Sequence, residues 1–240
     1  IEWHIPSNLT TKAIQVVWSG GSYNNSEPDG FEVAPVRRFL NDKGMAVVTL
    51  NYRHPRPTRV PKHVTAWQDA QRAIRIVRSE AASRGLDPQK IGIMGSSAGG
   101  HLALLTATSS GVNSYLPVDG IDKTPCNVQW AIPIYPAYSL TDGLENGNKH
   151  GGNELGDLLA PEFVFDTKTP PMLFLHGDGD GWAAMNSVRA WEQLRRMGIQ
   201  SDLHTLVNRG HCFQRSAAPD TASWNWMDRI WDFLEETTVR

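Results

Sequence analysis

The segment IGIMGSSAGGHLALLT, residues 91–106, sets two adjacent serines between an apolar run and an apolar helical pattern. Framing Ser97 by Gly95 and Gly99 gives G-x-S-x-G; framing Ser96 instead puts Met94 and Ala98 at the glycine positions, so only Ser97 fits. The chemistry at stake is nucleophilic. A serine raised on a sharp strand-to-helix turn sits in strained backbone, and side chains two residues to either side would strike neighbouring elements. A helix opening there also aims backbone N–H groups and a positive dipole end at the reaction centre. A Gly/Ser-rich connection without chemistry is the plain alternative.

A serine hydroxyl is a weak nucleophile at neutral pH and needs a base, which needs an orienting carboxylate. For an elbow of this kind the chain order is Ser, then Asp or Glu, then His, each after a later strand. PMLFLHGDGDGW places Asp178 and Asp180 just after one apolar run, and LVNRGHCF places His211 after the last. Spacing alone does not separate the two aspartates, and Asp178 is equally suited to capping its own loop. The Asp/Gly run fails as a calcium loop, because Trp182 and Arg189 fall where ligands are required. The other histidines show no metal-ligand spacing, and His176, ending a strand, reads as structural.

The remaining part is an oxyanion hole, with N–H donors aimed at a developing alkoxide. One donor belongs to Ala98, the residue after the nucleophile, and the other to a glycine-rich loop after an early strand. VVWSGGSYNN supplies that loop at Ser19-Gly20-Gly21-Ser22. Tyr23 and Trp182 lie beside the loops in sequence and are suited to stack on a sugar or wall an acyl pocket; packing is the alternative for both. Arg53 and His54, after a strand, are candidates to border the site.

These residues must be carried by a regular frame. Short apolar runs at 13–19, 45–52, 90–95, 128–135, 171–177 and 201–207 read as strands. Between them, helical patterns fall at 30–44, within 64–84, 97–108, 186–197 and, rich in tryptophan, near 222–236. Strands apolar along their length and alternating with helices imply a doubly wound, mostly parallel sheet covered on both faces, with ligands at the strand carboxyl ends. Within the helices, Trp67, Trp191 and Trp231 read as core. The 240 residues fit a single domain, 1–240, with irregular stretches at 109–127 and 137–168 as the only sources of a lid.

Composition excludes several classes. A net charge of −2 gives no reason to expect nucleic acid or an anionic membrane as partner, and no run reaches the length of a membrane span. Two cysteines, Cys126 and Cys212, are too few for a disulfide scaffold, though they could pair in an exported protein. The sequence opens on Ile1 rather than Met, which implies processing or truncation upstream and leaves the compartment of a soluble protein open.

With these motifs in hand, the chain resembles α/β-hydrolase esterases of the acetylxylan-esterase-like and acetyl-esterase group. WSGGSY is similar to that group's oxyanion loop, and AVVTLNYR with WQDAQRAIRIVRSEAASRGLDPQKIGIMGSSAGGHLAL to its central strand, helix and elbow. TPPMLFLHGDGD and VNRGHCF match its acid and histidine loops. The resemblance implies a Ser97–His211–Asp180 triad, with oxyanion donors at Gly21 or Ser22 and at Ala98. It also implies two-step acyl transfer on a short-chain, small-molecule or carbohydrate ester, with no metal or organic cofactor.

Departures fall in the pocket lining: Ser19 and Ser22 replace the family's frequent His or Pro and Gly, and Ser96 replaces a frequent Phe. The chain opens too late for both early strands of the fold, IEWHIP supplying part of one at most, and no large cap domain is expected. A prolyl-oligopeptidase-like peptidase, a lipase and a non-catalytic binding protein of the same fold are the competing readings.

Overall fold

A computed structural model describes residues 1–141, 158–182, 184–215 and 226–239. Seven strands form one sheet: β1 (Glu2–His4), β2 (Ile14–Trp18), β3 (Ala46–Thr49), β4 (Ile91–Ser96), β5 (Trp130–Ile134), β6 (Met172–Gly177) and β7 (Ser201–Leu206). Their spatial order is β1-β3-β2-β4-β5-β6-β7. Only β1 runs antiparallel, pairing Glu2 with Thr49 and His4 with Val47, so IEWHIP does contribute an edge strand. All other neighbours are parallel.

Among the described residues, five α-helices connect and cover the sheet: α1 (Ala34–Asp42), α2 (Val64–Ala81), α3 (Ala98–Thr108), α4 (Met185–Arg196) and α5 (Trp226–Leu234). The period-2 pleat sends alternate strand residues into two separate cores. Ile14, Val16 and Trp18 of β2 join Ile91 and Ile93 of β4 against α2, α3 and α4. Val17, Met94, Ile132 and Leu175 point the other way, onto Val36 and Leu40 of α1 and Ile230 and Phe233 of α5. Because both faces are buried, the inner strands read as continuous apolar runs in the sequence. Helix α3 is buried along all of its length, as a helix apolar all round must be.

Two boundaries differ from expectation in ways that matter for the site. α1 begins at Ala34, with Pro35 in its first turn, rather than at residue 30, so Phe31 and Glu32 belong to the preceding loop. The helix expected over 222–236 is seen as Trp226–Leu234, and 222–225 lie outside the described residues. Stretch 109–127 is no lid: Arg72 pairs with Asp119 and Asp122, pinning it against α2. Of the other candidate lid, 137–168, residues 142–157 lie outside the described residues. Trp67, Trp191 and Trp231 pack at the margins of the cores, only partly buried.

Candidate active site

β2 and β4 are hydrogen-bonded neighbours, with Trp18 level with Gly95, so the loops leaving their carboxyl ends must touch. At the end of β4 the chain turns into α3 through Ser97, whose φ of 55° and ψ of −121° lie where L residues are strained. The turn is held by the Ser97 N–H donating to the Ile134 carbonyl at 3.0 Å, and by the Ser97 carbonyl accepting from His101 and Ala137 N–H. Glycine is obligatory on both sides. A Cβ on Gly95 would lie 2.3 Å from the Gly99 carbonyl oxygen, and one on Gly99 would lie 2.4 Å from that of Ser19.

The Ser97 hydroxyl stands 2.8 Å from His211 Nε2. His211 Nδ1 lies 2.8 Å from Asp180 Oδ2, so three residues from three separate loops form one hydrogen-bonded line. Asp180 is fully buried. Its other oxygen, Oδ1, accepts the Trp182 N–H at 2.8 Å, and His176 Nε2 approaches Oδ2 at 3.3 Å. Burial pushes the carboxyl pKa up, but the bonds from His176 and His211, the charge of His211 and the Trp182 N–H outweigh it, holding Asp180 below the usual aspartate range. Asp178, by contrast, is exposed and accepts the Asn208 N–H at 2.7 Å, closing its loop onto the next. The geometry therefore separates the two aspartates that spacing left equivalent. His176 is structural as read: it bonds Ser187 Oγ at 2.8 Å through Nδ1 and helps to seat Asp180.

The glycine-rich loop lies directly over the elbow. A Cβ on Gly20 would meet Ser97 Cβ at 2.8 Å, and Gly21, Ser22 and Tyr23 in succession have φ of 101°, 53° and 62°. Four contacts lock this conformation. Glu32 accepts the Gly20 N–H at 2.6 Å, and Ser19 Oγ accepts the Glu27 N–H at 2.7 Å. The Tyr52 hydroxyl donates to the Gly20 and Ser19 carbonyls, at 2.5 and 3.2 Å. Gly21 and Ser22 line a cavity, while Ala98 is buried at the first position of α3 beside Ser97.

That cavity has a volume of about 210 Å³ and contains Ser97, His211 and Trp182 together with Asn25, Glu27, Phe31, Glu32, Cys212 and Arg215. Its lining corrects three expectations. Tyr23 is not in it: the left-handed loop turns the ring into the core, where its hydroxyl bonds His101 Nδ1 at 2.7 Å. Ser96, one residue before the nucleophile on a pleated strand, is buried away from the cavity and donates to Gln214 at 3.3 Å. Arg53 instead pairs with Asp69 at 2.8 Å and also lies outside the lining. Trp182 does line the cavity, its ring 6.2 Å from that of His211 and packed on Tyr138 at 4.8 Å.

Sequence reasoning missed Glu32. It accepts from both Gly20 and the Tyr135 hydroxyl, the latter at 2.9 Å, and Tyr135 also bonds Gln214 and packs edge-on against His211 at 4.9 Å. Burial raises the Glu32 carboxyl pKa above its ordinary value, opposed by the bonds from Gly20 and Tyr135. The only signal for it in the sequence was Pro35, which marks the true start of α1 and leaves Glu32 in a loop. Both cysteines are free; Cys126 is buried, and burial pushes the Cys212 thiol up to about 11.

A mostly parallel seven-stranded sheet, with an elbow serine, an acid and a histidine delivered by successive strand ends, defines the α/β-hydrolase fold. The BD-FAE family model matches residues 2–193, and the chain belongs to that family. "Probable carboxylic ester hydrolase LipM" of Mycobacterium tuberculosis (strain H37Rv) is 27% identical over 216 residues, covering 82% of this chain and 49% of LipM. "Esterase LipQ" of the same organism is 30% identical over 229 residues, covering 88% of this chain and 52% of LipQ. The chain thus spans about half the length of these curated relatives. Among solved structures, the acetyl ester-xyloside bifunctional hydrolase from Caldicellulosiruptor lactoaceticus superposes with a TM-score of 0.77 at 26% identity, covering 98% of this chain and 86% of that one. No helix among the described residues is long and apolar enough to cross a membrane.

Proposed function

We propose that this chain is a serine carboxylic-ester hydrolase acting on short-chain, acetyl-type esters, among them acetylated carbohydrate, with Ser97, His211 and Asp180 as its triad. The observation that carries the reading is the unbroken line from Ser97 Oγ through His211 to Asp180, with both links at 2.8 Å.

In this mechanism His211 Nε2 takes the Ser97 proton as Oγ attacks the ester carbonyl, and buried Asp180, ionised at neutral pH, stabilises the imidazolium. The oxyanion forms beneath the N–H groups of Gly21 or Ser22 and of Ala98, at the start of α3, where backbone dipoles favour negative charge. His211 then returns the proton to the departing alcohol, leaving Ser97 acylated. Water, deprotonated by the same histidine, releases the acid.

Support for a small acyl group comes from the cavity of about 210 Å³. Support for a polar alcohol portion comes from Asn25, Glu27 and Arg215 beside Trp182 in its lining, a mixture suited to hydroxyls and a sugar face. The similarity to an acetyl ester-xyloside hydrolase points the same way.

The test is hydrolysis of p-nitrophenyl acetate by wild-type protein and by Ser97→Ala. The variant is expected to lose about a million-fold in kcat with its fold intact. Turnover by Ser97→Ala at the wild-type rate overturns the triad. A panel of acetylated xylo-oligosaccharides, alkyl esters of increasing acyl length and peptides then fixes the substrate class, with long-chain esters or peptides as preferred substrates refuting the short-acyl reading.

A further inference from the structure

Outside the lining of the cavity, around His101 of α3, lies a second group of functional side chains that the esterase mechanism does not use. His63 precedes α2, His101 sits on α3, and Glu162 lies in the segment before β6. His63 Nδ1, His101 Nε2 and a Glu162 carboxylate oxygen all lie within 4.8 Å of one another. The two histidines are buried, and Glu162 is nearly so.

The geometry points to a divalent-metal site of the zinc type formed by His63, His101 and Glu162. Ligands at 2.0–2.2 Å from a tetrahedral ion are separated from one another by about 3.3–3.6 Å. Glu162 Oε1 lies 3.2 Å from His101 Nε2 and 3.6 Å from His63 Nδ1, which matches two edges of that tetrahedron. A small rotation of the two imidazoles, whose rings are 5.5 Å apart, closes the third edge.

One further observation favours a ligand over a hydrogen-bonded cluster, and a second is compatible with one. His63 Nδ1 is buried and has no hydrogen-bond partner, although it faces the other two groups. A buried polar atom left unpaired costs about 1–3 kcal/mol, and a coordinated ion would remove that cost. The other nitrogen of His101, Nδ1, is 2.7 Å from the buried Tyr23 hydroxyl. With Nδ1–H donating to that oxygen, the Nε2 lone pair faces Glu162, the outer-sphere arrangement that fixes the tautomer of a metal-ligating histidine. Two imidazoles and one carboxylate suit zinc better than the hard cations, which prefer all-oxygen sets. An ion here would tie together three segments far apart in sequence, one of them the helix that follows Ser97.

The experiment uses the metal-stripped chain, equilibrium dialysis against Zn(II), and Co(II) absorption as the spectroscopic probe. Wild type, Ser97→Ala and His211→Ala are each expected to hold one equivalent with the same Co(II) spectrum. His63→Ala and Glu162→Gln are expected to bind at least about 100-fold more weakly, and Tyr23→Phe about 10-fold more weakly. Circular dichroism checks the fold of each variant, and if His63→Ala does not fold, Glu162→Gln decides. The site is refuted if wild type takes up no zinc, if Glu162→Gln binds like wild type, or if binding vanishes in His211→Ala, which would put the ion on the triad. None of these readouts depends on ester hydrolysis, so the site and the proposed activity stand or fall separately.

Discussion

Glu32 makes a sharp prediction because its carboxylate does two jobs from a buried position. It accepts the Gly20 N–H at 2.6 Å and the Tyr135 hydroxyl at 2.9 Å, and only 6% of the residue is exposed. Glu32→Ala leaves the Gly20 N–H in the interior without an acceptor, at about 1–3 kcal/mol of stability, while the Tyr135 hydroxyl keeps Gln214. It also frees Gly20, the hinge of the loop whose next two residues, Gly21 and Ser22, line the cavity as the proposed oxyanion donors. Loss of one oxyanion donor costs about 100- to 1000-fold in kcat, and because that bond strengthens only in the transition state, KM should change little. Glu32→Gln is the control. Its amide oxygen can keep the Gly20 N–H while its NH2 donates to Tyr135, whose hydroxyl also accepts. Charge assistance worth about 1 kcal/mol per bond is lost, offset by easier burial of a neutral group. Steady-state kinetics on p-nitrophenyl acetate with thermal melts should therefore rank wild type and Glu32→Gln close together and Glu32→Ala far below. A folded Glu32→Ala with kcat within about threefold of wild type, or with its whole loss in KM, would refute the claim that this carboxylate sets the loop.

Other outcomes follow from the same geometry. Asp180→Asn should lower kcat by about 10⁴ by misorienting His211, while Asp178→Asn, exposed and bonded to the Asn208 N–H rather than to His211, should stay within about threefold in the same assay. Because the folded pKa of Asp180 lies below its ordinary value, its ionisation stabilises the fold above the usual aspartate range, and that contribution disappears as pH falls through the lowered value. The melting-temperature gap between wild type and Asp180→Asn should accordingly narrow on acidification. Gly99→Ala should lose about 3 kcal/mol of stability in denaturant titrations, since its Cβ would meet the rigid Ser19 carbonyl at 2.4 Å. Cys212, with its thiol pushed up to about 11 by burial and by nearby Glu32, should alkylate slowly at pH 8 and progressively faster toward pH 11.

The frame of this molecule was legible because its inner strands are buried on both faces. Such strands must be apolar along their whole length, so runs such as QVVW, IGIM and MLFLHG announce themselves without any partner in view. The elbow was legible for a steric reason that acts within a few residues: Gly95 and Gly99 have no room for a Cβ, and that constraint is written in the local sequence. What could not be read depends on how a loop turns after it leaves its strand. Tyr23 adjoins the oxyanion loop in sequence, yet three successive left-handed residues direct its ring into the core onto His101. Asp178 and Asp180 differ by one turn of a short loop, and only the packing of His176 and Trp182 decides which carboxylate is enclosed. Glu32 was hidden by a helix boundary placed four residues too early.

The elements that carry the site explain why its lining was harder to foresee than its centre. β2 and β4 are adjacent, and so are β6 and β7, with β5 between the pairs. The first pair brings the glycine loop over Ser97, and the second brings Asp180 under His211. Strand order thus assembles the line of proton-carrying groups from positions that any mostly parallel sheet of this topology would supply. The cavity wall has no such guarantee. Asn25, Glu27 and Glu32 come from the connection between β2 and α1, and Cys212 and Arg215 from the residues after β7. These stretches are constrained only where they brace something: Glu32 by Gly20 and Tyr135, Ser19 by Glu27, Gly20 by Tyr52. Residues in the same loops without such a bond, Arg215 over the Phe31 ring at 4.2 Å among them, can change with little cost to the fold. Differences in ester preference among relatives should therefore concentrate at those unbraced positions, while Glu32 and Tyr52 vary together with the loop they hold.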